Sequence, residues 1–72
     1  MDKGNLVAKS EAEKLKDRLV AEMGRRFRRP DFHPIDPEGL IFERNFYEIG
    51  ETVQVRLTKN RKIQAVYLTR RQ

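Results

Sequence analysis

The sequence predicts an α+β fold in which one N-terminal amphipathic helix packs on a small twisted antiparallel sheet of about three strands. Three observations predict it: a capped segment with helical periodicity, a proline-rich stretch after it, and alternating strand patterns in the second half. The chain has 72 residues, which is the size of one small domain with a limited core. We therefore expect a single domain over residues 1–72.

The helix is predicted over residues 10–24. Ser10 and Glu13 form an S-x-x-E capping box, in which each side chain accepts a hydrogen bond from the other residue's backbone N–H. Gly24 stands where a left-handed residue ends a helix. The apolar residues that share one face at helical spacing are Ala12, Leu15, Leu19, Val20 and Met23.

Residues 25–39 combine a basic cluster around Phe27 with a proline-rich connector. Phe27 is predicted to plug the core. Pro30, Pro34 and Pro37 exclude a helix and predict a stiff, extended chain. Residues 36–39 have Asp, Pro and Gly at the positions that a type I turn favours.

An antiparallel meander is predicted over residues 40–69. Residues 40–43 begin the first strand, residues 52–58 alternate cleanly, and residues 62–69 return after a hairpin loop in which Asn60 tolerates positive φ best. The return strand is apolar on both faces, with Ile63, Ala65 and Tyr67 on one face and Val66 and Leu68 on the other. The aromatic residues of the sheet are assigned to the core rather than to an exposed stacking platform; they are Phe42, Phe46, Tyr47 and Tyr67.

The charges are segregated along the chain. Six cations and no acid lie in residues 53–72, whereas residues 30–52 hold six acids and one cation, and the whole chain carries +5. This pattern predicts a cationic surface that attracts polyanions or an acidic protein face, unless the acidic segment neutralises the basic hairpin from within. The predicted contact residues are Arg25, Arg26, Arg28, Arg29, Arg56, Lys59, Arg61, Lys62, Arg70 and Arg71, the last two in a basic tail over residues 70–72.

The sequence offers little for catalysis. It has no cysteine and one histidine, His33, which argues against a structural zinc site. It contains no nucleophile elbow and no glycine-rich phosphate loop. We expect no enzyme activity, cofactor, metal or small-molecule substrate. No apolar run is long enough to span a bilayer, so we expect a soluble intracellular protein that does not bind membranes.

Taken whole, the chain resembles the small transcription regulators, of the Xanthomonas phage type, with which bacteriophages bind host RNA polymerase. The resemblance is carried by the length, the segment Asn-Leu-Val-Ala at residues 5–8, the single capped helix, the arginine cluster and the basic hairpin. It implies a non-catalytic protein of the host bacterial cytoplasm that binds near the RNA exit region of the polymerase. Such a regulator opposes sigma-factor engagement at initiation and favours antitermination.

On that picture, residues 1–9 would be a docking tail in which Leu6 and Val7 contact protein, and the cations would face nascent RNA or an acidic polymerase surface. Two alternatives stay open from the residues alone. The first is a general RNA- or DNA-binding module that uses the same cations. The second is an antitoxin-like or accessory subunit that folds fully in its complex.

Overall fold

The computed structural model describes residues 9–71. Within that range one helix packs on a four-stranded antiparallel sheet, so the predicted α+β fold is confirmed. The strands lie side by side in chain order, and each is antiparallel to the next. The elements are α1 (Glu11–Ala21), β1 (His33–Pro34), β2 (Ile41–Phe46), β3 (Glu51–Leu57) and β4 (Ile63–Arg70).

The expected number of strands was too low by one, because the proline-rich connector contributes β1. His33 pairs with Glu43, and Pro34 pairs with Phe42. A proline lacks the N–H that a central strand must donate, but it is tolerated at the edge of a sheet, which is where β1 lies. The stiff, extended chain that the prolines impose is therefore compatible with a short edge strand.

The core lies between α1 and one face of the sheet. Its buried apolar residues are Ala12, Leu15, Leu19, Phe27, Phe32, Val53, Val55, Leu57, Ile63 and Val66. The prediction that Val20 and Met23 continue the apolar face of the helix is wrong, because both side chains are exposed. Val20 lies about 100° around the helix from Leu19, and Met23 follows the last helical residue. Gly24 adopts the expected positive φ of 97°.

The strand β4 does not present the two faces that strict alternation predicts. Leu57 pairs with Ile63, whereas Arg56 pairs with Ala65, so one residue of β4 has no partner at that point. This register shift brings Ile63 to the buried face together with Val66. An extra residue of this kind reverses the inward and outward positions on either side of it.

Both tyrosines of the sheet region were wrongly assigned to the core. Tyr47 is 73% exposed and Tyr67 is 51% exposed. Tyr67 pairs with Gln54 on the face of the sheet opposite α1, and Tyr47 begins a single turn of 3-10 helix between β2 and β3. The two phenylalanines behave as predicted, since Phe42 and Phe46 pack against the buried cluster.

The hairpin loop between β3 and β4 has its positive φ at Arg61 (66°) rather than at the predicted Asn60. The N–H of Arg61 donates to the carbonyl of Thr58 at 2.9 Å, and the N–H of Thr58 donates to the carbonyl of Lys62 at 2.9 Å. This is the three-residue hairpin in which a turn is followed by one left-handed residue. The left-handed position therefore falls one residue later than expected.

The N-terminus of α1 is fastened to the sheet through the carboxylate of Glu51. The capping box is present, because Ser10 Oγ accepts from the N–H of Glu13 at 3.1 Å and Glu13 accepts from the N–H of Ser10. The same Ser10 hydroxyl donates to Glu51. Arg70 donates to Glu51 at 2.7 Å and pairs with Glu13 at 2.6 Å. One connected set of charge-assisted hydrogen bonds thus joins α1, β3 and β4.

We predict that Ser10→Ala lowers the free energy of unfolding by about 1–2 kcal/mol, because the cap is lost. Ser10→Asp separates the two roles of the hydroxyl, since a carboxylate caps a helix well but cannot donate to Glu51. Urea denaturation should therefore rank Ser10→Thr near the wild type and Ser10→Asp well below it. Equal stability of the aspartate and threonine variants would contradict the proposed link between Ser10 and Glu51.

The stability of the domain should also depend on pH through Glu51. Hydrogen bonds from Ser10 and then Arg70 hold the pKa of this carboxyl below its ordinary value, which is about 4.3. A lowered pKa contributes stability above the ordinary value and loses it as the pH falls through the folded-state pKa. We expect the stability difference between wild type and Glu51→Gln to be full near pH 6 and to shrink below about pH 4. Denaturation curves from about pH 6 down to about pH 2 would measure it, and a difference that stays constant over that whole range would contradict this assignment.

Candidate functional site

Two basic segments that are far apart in sequence meet at one end of the sheet. Arg26 and Lys62 form an antiparallel bridge. On either side of it, the N–H of Phe27 donates to the carbonyl of Arg61 at 3.0 Å, and the N–H of Ile63 donates to the carbonyl of Arg25 at 3.3 Å. The arginine cluster is therefore held against the hairpin by backbone hydrogen bonds. No local sequence signal predicts this pairing.

Aromatic packing anchors the arginine cluster at that position. Phe27 is buried, and its ring lies 5.3 Å from the rings of both Phe32 and Phe42, with the Phe32 contact edge-to-face. The predicted role of Phe27 as a core residue is confirmed. Because Phe27 points inward, its arginine neighbours Arg26 and Arg28 are left exposed to solvent.

The joined segments form what we call the basic surface, which consists of Arg25, Arg26, Arg28, Arg29, Lys59, Arg61 and Lys62. Arg29 is partly buried and the other members are exposed. Across residues 9–71, no side chain of the basic surface forms an ion pair with an Asp or Glu. The internal neutralisation that the sequence left open therefore does not occur at this surface within the described chain.

Four of the six acids in the acidic middle of the chain are engaged elsewhere. Asp31 pairs with Arg44 at 2.6 Å, and Glu51 serves the contact with Ser10 and Arg70. Asp36 accepts from the N–H groups of residues 40 and 41 at 2.9 and 2.8 Å, and these hydrogen bonds lower the pKa of its carboxyl. Glu43 accepts from the side chains of Gln54 and Asn45 on the face opposite α1. These acids thus form contacts within the turn, within the sheet and between the sheet and α1.

A recess of about 340 Å³ opens within the basic surface. Its lining residues are Phe27, Arg28, Arg29, Pro30, Phe42 and Arg61. Three of them are predicted contact residues. Sequence reasoning missed Pro30 and Phe42 as parts of a site, because their position depends on how β2 pairs with its neighbours.

The other predicted contact cations lie away from the basic surface. Arg56 is exposed on the face of the sheet opposite Phe42. Arg70 belongs to β4 and is paired with Glu13 and Glu51, and Arg71 donates its N–H to the carbonyl of Gly50 at 2.7 Å. The predicted basic tail is therefore not a free tail at Arg70 and Arg71, because both residues are held at the end of the sheet opposite the hairpin. Arg70 is better explained as a structural residue than as a contact residue.

The predicted docking residues Leu6 and Val7 lie outside the described residues, so their assignment stays a prediction.

No helix within residues 9–71 is long and apolar enough to cross a membrane. In the same part of the chain, no three His, Asp or Glu side chains are grouped so that they could hold a metal ion.

Comparisons with protein-family models, with curated proteins and with solved structures found no significant match to this chain.

The basic surface should tolerate loss of charge without loss of fold. Because Arg25, Arg26 and Arg28 have exposed side chains, we predict that each Arg→Gln replacement changes the free energy of unfolding by about 0.5 kcal/mol or less. Arg70→Gln is the matched comparison, since it removes the same charge but leaves Glu51 and Glu13 without their partner. Thermal denaturation should show a larger drop in melting temperature for Arg70→Gln than for the Arg→Gln variants of the basic surface. An equally large drop for Arg26→Gln would mean that the basic surface is structural.

Proposed function

We propose that this chain is a non-catalytic nucleic-acid-binding module whose basic surface contacts the sugar-phosphate backbone. The observation that carries the proposal is the bridge between Arg26 and Lys62. It brings the arginine cluster and the hairpin cations into one surface, and no carboxylate of the described residues neutralises them.

The physical basis is the release of counterions. A cation that neutralises a backbone phosphate frees a condensed counterion, so several adjacent cations give substantial affinity that falls as salt rises. Contacts of this kind fix position on the polymer without reading its sequence. The basic surface offers seven such cations at one end of the sheet, and a polymer with regularly spaced charges can engage several of them together.

The residue types suit a nucleic acid strand, which offers both phosphates and flat bases. Five of the seven cations are arginine, whose planar fork of donors matches phosphate oxygens in pairs and whose flat face stacks on nucleobases. A basic surface that only aided solubility would not need to be concentrated at one end of the molecule, nor to be drawn together by backbone hydrogen bonds.

The polymerase-binding regulator that the resemblance implies is a distinct proposal for the same molecule. It assigns the basic surface to nascent RNA or to acidic polymerase, and it assigns protein docking to Leu6 and Val7. Capture from bacterial lysate distinguishes the two. Recovery of RNA polymerase after nuclease treatment, together with no affinity for free oligonucleotides, would replace the nucleic-acid proposal by the regulator.

The proposed function predicts a steep dependence of affinity on salt. If all seven cations of the basic surface contact phosphates of a single strand, the slope of log K against log salt is about −5. Fluorescence anisotropy with a labelled single-stranded oligonucleotide between about 50 and 200 mM salt measures this slope. Removing two of the contacts by Arg26→Gln with Lys62→Gln should reduce its magnitude by about 1.4.

The matched control removes the same charge at the other end of the molecule. Lys9 and Lys14 lie at the N-terminal end of α1, where they pair with Asp17 and Glu11. Lys9→Gln with Lys14→Gln lowers the net charge by the same amount and should leave the slope nearly unchanged. Equal effects of the two double variants would show that only net charge matters. No measurable binding of RNA or DNA at about 50 mM salt would overturn the proposed function.

A further inference from the structure

The recess within the basic surface combines guanidinium groups with an apolar floor. Arg28, Arg29 and Arg61 line it together with the aromatic residues Phe27 and Phe42. An apolar surface beside a guanidinium reduces the number of water molecules that compete for its donors on that side, and electrostatic attraction is stronger where fewer water molecules screen it. The recess is an open one, and it differs from the surrounding cations in that its guanidinium groups lie beside two aromatic side chains.

Arg29 has unused hydrogen-bonding capacity at this recess. Its Nε atom is buried, and it finds no hydrogen-bond acceptor among the described residues. A buried donor without an acceptor is destabilising, and such groups are uncommon in folded proteins. An anion in the recess would supply acceptor oxygens to this guanidinium after a small movement of the side chain.

Arg61 is held in place before any ligand binds. One of its terminal nitrogens, Nη1, donates to the carbonyl of Gly39 at 2.8 Å, and its guanidinium carbon lies 5.4 Å from the centre of the Phe42 ring. A guanidinium has five N–H donors, so this arrangement leaves others free. A side chain that is already ordered loses less entropy when it binds a ligand.

We propose that this recess is a binding subsite for one phosphodiester group of a nucleic acid strand. The inference rests on the proposed function and deepens it, because it singles out one place on the basic surface where the geometry of arginine, and not only its charge, matters. Arg28, Arg29 and Arg61 contact the phosphate oxygens. The remaining cations of the basic surface hold the neighbouring phosphates by charge alone.

A phosphodiester fits this recess better than a single carboxylate does. A carboxylate and a phosphodiester each present two anionic oxygens to a guanidinium fork, but the phosphodiester of a strand continues into further charged groups on both sides. The surrounding cations, Arg25, Arg26, Lys59 and Lys62, suit such a continuing polyanion.

The test compares two double variants that keep the charge and remove the guanidinium fork. Arg28→Lys with Arg29→Lys alters the lining of the recess, and Arg25→Lys with Arg26→Lys makes the same change beside it in the same segment. For a single-stranded RNA of about ten nucleotides, we expect the first variant to weaken binding about tenfold and the second less than twofold. Equal affinities of the two variants would overturn the subsite while leaving the proposed function in place.

A second measurement observes Arg29 directly in the wild-type protein. In a proton–nitrogen correlation spectrum of the arginine Nε–H groups, titration with the same RNA should shift the Arg29 signal more than the Arg25 signal. The same titration with duplex DNA and with inorganic phosphate shows which source of phosphate the recess binds. Titration with polyglutamate tests whether it binds an acidic protein instead. A shift caused by polyglutamate alone, or no shift at Arg29 with any nucleic acid that binds, would overturn the proposal.

The two measurements also distinguish failure of the subsite from failure of the function. If the recess variant unfolds, the spectrum of the wild-type protein still decides the matter. If the wild-type protein binds neither RNA nor DNA, both the subsite and the proposed function fall. If it binds them with the expected salt slope but without a response at Arg29, only the subsite falls.

Discussion

The fold depends on the carboxylate of Glu51, which connects the start of α1 to the ends of two strands. Ser10 caps the helix and donates to Glu51, while Arg70 bridges Glu51 and Glu13. In a domain this small, the apolar contact between one helix and one face of a sheet stabilises the fold only modestly. A charged contact that also satisfies the helix N-terminus fixes where α1 sits on the sheet, and it uses the last cation of β4 in doing so.

Within residues 9–71, the opposite end of the sheet is organised without any such ion pair. There the segment around Phe27 is held by aromatic packing and by backbone hydrogen bonds to the hairpin. Because neither interaction requires a carboxylate, the arginines beside Phe27 remain un-neutralised by the described chain. The charge segregation along the sequence thus becomes a separation in space, with paired charges at the Glu51 end and, at the hairpin end, cations that no carboxylate of residues 9–71 pairs with.

Local signals predicted most of the fold and little of the site. The capping box of Ser10 and Glu13 and the alternation in β3 act between near neighbours in sequence, so they could be predicted from the residues. The strand β1, the register shift beside Leu57 and the bridge from Arg26 to Lys62 depend on pairing between distant segments. The sequence therefore identified the cations of the basic surface, but it could not show that they lie together in the fold. It also could not show that Arg70 forms an ion pair with Glu51.

Arg61 shows how the fold and the candidate site depend on each other. A non-glycine residue at positive φ is disfavoured by about 1 kcal/mol, and the hairpin would form more readily with glycine or asparagine at that position. The arginine side chain offsets this cost by donating to the carbonyl of Gly39 and lying over Phe42. Those two contacts fasten the hairpin to the turn before β2 and also fix a guanidinium at the recess. The left-handed residue is what the three-residue hairpin requires, so the specific contribution of an arginine at this position is the guanidinium that it holds beside Gly39 and Phe42.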